Sequence, residues 1–256
     1  RLVKMYLKIE DKRIYYNIKK SGSNRAIIFV HGSGGTSNTW KNQVKLEMGY
    51  DIISFDLPSH GKSSEYLELS IDLYVEVLNQ LIRAVNYEEV VLCGHSLGGA
   101  IIQSYYYLYP KNVKALIIIG SGARLRVSPI ILDSLKSNYP EFLKALPNGA
   151  FNGNTSVDII NDYAKETSTV GANVTFKDFS ICDNFDTLEK TSSINIPCLI
   201  IVGKSDKLTP SKYSEFFHNK IENSDLHIIE DAGHMVMLEK PVFLNNIIKS
   251  FFTNRL

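Results

Sequence analysis

Val90-Val91-Leu92-Cys93-Gly94-His95-Ser96-Leu97-Gly98-Gly99 joins an apolar run to the start of a helical pattern through a serine boxed between glycines. The run reads as a buried strand, the box as a sharp turn and the continuation as a helix, with Ser96 at the apex. Gly94 and Gly98 lie two residues either side of Ser96. They let strand and helix approach closely and hold the serine in a strained backbone conformation with its hydroxyl projecting outward. The free N–H groups of the helix's first turn, and the positive end of its dipole, face any oxyanion formed there.

Working outward, Ala26 to Val30 is a continuous apolar run ending in His31-Gly32-Ser33-Gly34-Gly35. Asp51 to Phe55 is another, ending at Asp56-Leu57-Pro58-Ser59-His60-Gly61. A helix is expected between them, from about Asn38 to Met48. Ser70 can cap a further helix through about Val85, with Leu73, Val77, Leu78, Leu81 and Ile82 on one apolar face. Beyond the serine turn, a helix over Ala100 to Tyr109 stops at Pro110, and Ala115 to Ile119 is the next strand. Alternating strands and helices from 26 to 119 predict an α/β fold, a mostly parallel twisted sheet with helices on both faces. Val3 to Ile9 and Arg13 to Ile18 alternate apolar with polar residues, which predicts an antiparallel hairpin at the sheet's edge.

The rhythm breaks over 121–193, where Pro129, Pro140, Pro147, Asn148-Gly149 and Asn152-Gly153 punctuate short amphipathic pieces. A mostly helical insertion over the sheet's edge is expected there, with residues 1–120 and 194–256 forming the core. The rhythm resumes with the strand Cys198 to Val202, a helix from about Pro210 to Lys220, the strand Leu226 to Glu230 and a last helix from about Pro241 to Phe252.

The 256 residues are 44% hydrophobic, enough for a substantial core without metal or disulfide support. Lys and Arg number 28 against 27 Asp and Glu, mixed along the chain, so no footprint for nucleic acid or an anionic membrane is expected and a neutral substrate fits. Cys93, Cys182 and Cys198 are an odd count without close pairing, which suits buried reduced thiols and a cytoplasmic setting. The apolar runs are too short to span a membrane.

A serine hydroxyl is a weak nucleophile until a base takes its proton. His234 falls in the loop after the last strand, at the end of a parallel sheet where ligand loops gather. His227 lies within a strand and His218 near a helix end, positions that suit structural or solvent-facing roles. A carboxylate must hold the base in one tautomer. Asp206, in Gly203-Lys204-Ser205-Asp206-Lys207, sits at the same end of the neighbouring strand. Asp231 is the rival, but three residues before His234 it suits a turn. Gly32, Gly34 and Gly35 could present an amide to an oxyanion or cradle a phosphate. A dinucleotide fingerprint would need a third glycine where Ser37 stands.

The segments at 94–99, 31–35, 56–63 (Asp-Leu-Pro-Ser-His-Gly-Lys-Ser), 203–206 and 233–235, in the order serine, acid, histidine, resemble the motifs of the α/β-hydrolase family. The resemblance implies that the Ser33 and Leu97 amides form an oxyanion hole, that 121–193 is a cap, and that His31 and His60 are structural. One departure is Ser59, where such sequences usually carry glycine, so the backbone of that turn is expected to differ. The expected activity is two-step acyl transfer on an ester, lactone or thioester of small to medium acyl chain, through Ser96, His234 and Asp206, with no cofactor and no metal. The rate should rise with pH through a histidine's titration. A carbon–carbon bond hydrolase is the nearest alternative, although such relatives tend to have asparagine where His95 stands. A slow ligand receptor on the same fold is the other.

Overall fold

The computed structural model describes residues 1–256. Its sheet has eight strands: β1 (Leu2–Ile9), β2 (Lys12–Lys19), β3 (Arg25–Val30), β4 (Asp51–Phe55), β5 (Glu89–His95), β6 (Val113–Ile119), β7 (Cys198–Gly203) and β8 (Ser224–Ile229). The order across the sheet is β1-β2-β4-β3-β5-β6-β7-β8. β1 and β2 form the expected antiparallel hairpin, β2 runs antiparallel to β4, and the remaining pairs are parallel. β3, β5 and β7 are apolar on both faces because helices cover both sides.

One face packs against α1 (Ile71–Val85) and α2 (Leu97–Leu108), burying Tyr74, Leu78, Leu81, Ile101 and Tyr105. Ser70 caps α1 as its sequence predicts, accepting the Leu73 amide at 3.1 Å. α7 (Ser211–Lys220) closes the same face, its Phe217 fully buried. The other face is covered by α9 (Pro241–Arg255) and the short α8 (Val236–Glu239), with Leu244, Ile248 and Phe251 in its core.

The helix expected from Asn38 to Met48 does not form; two short 3-10 turns stand there instead, Ser37–Trp40 and Gln43–Lys45. Local polar contacts take the backbone groups a helix would use. The Thr36 hydroxyl accepts the Asn38 amide at 3.1 Å, and the Asp56 carboxylate accepts the Ser37 amide at 2.7 Å. Trp40 is core, its ring 4.8 Å from that of Phe29.

Between β6 and β7 lie α3 (Pro129–Ser137), α4 (Tyr139–Ala150), α5 (Val157–Val170) and α6 (Ala172–Asn184). Pro129 and Pro140 open helices instead of breaking them, since proline fits the first turn without loss. The four helices hang from a narrow neck in which 123–125 and 185–187 run antiparallel: Thr187 donates its amide to the Ala123 carbonyl at 2.7 Å, and Arg124 bridges Asp186. No helix of the chain is long and apolar enough to cross a membrane.

Candidate active site

Ser96 links β5 to α2 with φ 53° and ψ −118°, a conformation costly for any side chain. Its neighbours impose it. The Ser96 amide donates to the Ile119 carbonyl at 3.0 Å, and its carbonyl accepts the Gly99 amide at 2.9 Å and the Ser121 hydroxyl at 2.8 Å. A Cβ at Gly94 would collide with the Gly98 carbonyl, and one at Gly98 with the Val30 carbonyl. Strand, turn and helix can therefore close only with glycine at both places.

The loops after β7 and β8 meet beside Ser96. His234 Nδ1 lies 2.8 Å from Asp206 Oδ2, both side chains nearly fully buried. Asp206 Oδ1 also accepts the amides of Leu208 and Thr209 at 2.9 and 2.8 Å, and the Thr209 hydroxyl donates to Oδ2 at 2.8 Å. Burial raises the Asp206 carboxyl, but the His234 charge and these donors outweigh it, and the net shift is downward. A carboxylate so held fixes the proton on Nδ1 and leaves Nε2 as an acceptor. Hydrogen bonds link Asp206 to His234 and stop there; none continues from the imidazole to the Ser96 hydroxyl, although both line one cavity. Sequence reasoning missed Thr209, whose hydroxyl also lies 3.1 Å from His234 Nδ1. His95 was passed over too: its Nε2–H donates to the His234 carbonyl at 3.0 Å, and its ring centroid lies 4.5 Å from that of His234. Burial and the neighbouring His234 hold His95 well below the usual histidine range, hence neutral. His218 and His227 are exposed, as is Asp231, which occupies a left-handed turn at φ 51°.

The 31–35 loop approaches from β3. The amides of Ser33 and Leu97 are committed to no other backbone group, and Leu97 opens α2, where the helix's N–H groups are free. His31 Nδ1–H donates to the Gly32 carbonyl at 2.9 Å and Nε2 accepts the Leu57 amide at 3.1 Å, a neutral, structural ring that burial and the nearby His60 charge push down to about 3. Ser59 holds a left-handed backbone at φ 67° despite its side chain, the region that favours glycine. Its hydroxyl accepts the Tyr66 amide at 2.9 Å, a local bond that helps offset the strain.

Ser33, Ser96 and His234 open onto a cavity of about 280 Å³, near the lower end of the usual range for small-molecule sites. Leu125, Val127, Ile131, Leu146, Phe179 and Leu208 supply its apolar wall. Arg126, Lys207 and Lys212 also line it, and no Asp or Glu does. Cys93, Cys182 and Cys198 are free and buried; Cys182 reaches the wall, where burial pushes its thiol up to about 12 and removes it as a nucleophile.

The chain is similar to several known hydrolases. It shares 34% identity with the solved structure of a thermophilic esterase, at a TM-score of 0.89 over 99% of this chain and 98% of that one. It is 27% identical to the 2-hydroxy-6-oxo-6-(2'-aminophenyl)hexa-2,4-dienoic acid hydrolase of Metapseudomonas resinovorans, over 92% of this chain and 87% of the relative. It is also 27% identical to the pimeloyl-[acyl-carrier protein] methyl ester esterase of Wigglesworthia glossinidia brevipalpis, over 94% and 98%. A model of the alpha/beta hydrolase family matches residues 27–247. With the eight-stranded sheet and the serine elbow that motif reading anticipates, this chain belongs to the alpha/beta hydrolase family.

Proposed function

We propose that the protein hydrolyses a carboxylic ester, or a lactone or thioester, of small to medium acyl chain through an acyl-enzyme on Ser96. One observation carries the reading: a serine held in a strained elbow opens onto the same cavity as a histidine whose far nitrogen is locked by a buried carboxylate. His234 Nε2 takes the Ser96 proton as Oγ attacks the carbonyl carbon. The Ser33 and Leu97 amides donate to the resulting oxyanion, each such donor typically contributing about 3 kcal/mol. The tetrahedral adduct collapses, and the leaving alcohol or thiol departs with the proton from His234. Water, deprotonated by the same histidine, then attacks the acyl-serine and releases the acid. Asp206 stays ionised throughout and stabilises the imidazolium.

The charge around the cavity refines the substrate. Arg126 donates to the Asp183 carbonyl and lies 4.0 Å from Asp186, whereas Lys207 donates only to the Asn148 carbonyl at 3.0 Å. Lys212 stands over the Tyr213 ring. An apolar acyl group ending in a carboxylate suits such a wall better than the neutral substrate implied by the chain's overall balance.

The deciding experiment is a hydrolysis screen over p-nitrophenyl esters, lactones and thioesters of graded length, with Ser96→Ala as the blank. Loss of about 10⁴-fold or more in kcat is expected for that variant, and wild-type turnover by it would end the reading. The aminophenyl-hexadienoic acid hydrolase among the relatives favours carbon–carbon cleavage as a second reading. Turnover of a vinylogous 1,5-diketone acid with no ester turnover would select it. A fluorophosphonate that labels Ser96 in a protein idle on every substrate would point to a receptor.

A further inference from the structure

α6 of the insertion presents Thr175, Asp178 and Cys182 inward, one helical face. Asp178 is fully buried, an expensive place for a carboxylate. Three donors from three separate parts of the core converge on it. The Gly34 amide reaches Oδ2 at 3.1 Å, His60 Nε2 reaches the same oxygen at 2.8 Å, and the Tyr74 hydroxyl of α1 reaches Oδ1 at 2.6 Å. His60 Nδ1 faces the Pro58 carbonyl at 2.9 Å, so both ring nitrogens have acceptors, and only the imidazolium donates from both. A buried ion pair between a helix of the insertion and a loop of the core therefore grips the backbone of the 31–35 loop. Gly34 itself sits at φ 66°, with room for a Cβ denied by Thr167 of α5. Nothing in the acyl-transfer steps uses Asp178.

The geometry points to Asp178 as a positioning residue: through the Gly34 amide and the His60 ring it holds the 31–35 loop so that the adjacent Ser33 N–H faces the oxyanion. This rests on the acyl-transfer reading of the same site. It makes the site complete only when α6 is seated on the core, so the insertion supplies part of the catalytic geometry besides shaping the pocket. The insertion also meets this loop at Ser33, whose hydroxyl lies 3.6 Å from Cys182 Sγ of α6, and just beyond it, where Glu166 reaches the Thr36 hydroxyl and Asn38 Nδ2.

Asp178→Asn keeps the side chain's size but turns an NH₂ toward the Gly34 amide or the His60 ring. Displacing one oxyanion donor without deleting it should lower kcat about 10- to 100-fold, with KM within about 2-fold of wild type. Ki for a trifluoromethyl ketone, whose hemiketal oxygen needs the same donors, should rise by the factor that kcat/KM falls. Arg124→Ala removes a half-exposed ion pair at the neck, away from this loop, while the neck's backbone hydrogen bonds keep the insertion seated, and should leave kcat unchanged. Wild-type kcat in Asp178→Asn, or an equal loss in Arg124→Ala, overturns the assignment. If Asp178→Asn does not fold by circular dichroism, Tyr74→Phe decides, since freeing Oδ1 should lower kcat about 3- to 10-fold at constant KM; wild-type kcat there overturns it as well. Failure of the underlying reading is separate, being turnover that survives Ser96→Ala.

Discussion

Thr209 shows how much of a site a single hydroxyl can organise. It donates to Asp206 Oδ2 while lying 3.1 Å from His234 Nδ1, so it limits the freedom of both partners. Thr209→Val keeps the shape and removes that link. Hydrogen bonds to charged groups contribute about 1.5–3 kcal/mol to stability, so the melting temperature should fall by roughly 3–12 °C and kcat should fall with it, read from a thermal scan and steady-state kinetics on one sample. At the cavity wall, Lys207→Ala combined with Lys212→Ala should raise KM for the monomethyl ester of a dicarboxylic acid about 5-fold or more, and leave the neutral methyl ester of equal length unaffected. Equal effects on both esters would remove the lysines from substrate recognition. Ser96, His234 and Asp206 could be read from sequence because each ends a strand-like run at one end of a parallel sheet. Thr209 and Asp178 could not: a threonine three residues after an acid, and an aspartate inside an amphipathic helix, look like any solvated polar residue until folding supplies their partners.

The elements divide by how far local pattern decides them. β3, β5, β6 and β7 are buried on both faces, so an uninterrupted apolar run identifies each without ambiguity, and α1 carries its own cap and apolar stripe. The 37–45 segment fails as a helix because its amides answer to Thr36 and to Asp56, the latter 19 residues away from Ser37, which no local period reveals. Where α2 crosses the end of β3, the two backbones meet directly at Gly98. Gly98→Ala would drive a methyl into the Val30 carbonyl, and neither backbone can yield. A cost of about 3 kcal/mol or more is expected, seen as a lowered melting temperature or as insoluble protein. Ala at the open Gly153, which meets nothing, is the matched control.

For the whole molecule, buried histidines set the pH range of stability from both sides. His31, pushed to about 3, and His95, held well below 6.5, stay neutral when folded. Unfolding lets them take up protons below about pH 6.5, so stability falls as pH drops below that point. Asp206, held below 3.8, adds a further loss at still lower pH. His60 acts in the opposite sense. Burial opposes its charge, but Asp178 and the Pro58 carbonyl, with Asp56 nearby, raise it above 6.5. Its contribution is complete below pH 6.5 and is lost as pH rises through the raised value. Melting temperature should therefore peak near neutrality, and His60→Gln should flatten the alkaline side and, by taking the neighbouring charge away from His31, also soften the fall on the acid side. The composition alone, 28 cations against 27 anions, carried none of this. A sum of charges is blind to which of them are buried together.

The neck at 123–125 and 185–187 brings the two ends of a sixty-residue excursion within hydrogen-bonding reach of each other. Polymer physics makes such a junction permissive, since the entropy of closing an excursion grows only slowly with its length. Segments of other lengths could be spliced there, giving the same nucleophile a differently shaped antechamber. A graft of that kind would have to carry one inherited instruction: an acidic side chain delivered to the histidine and the glycine amide waiting below.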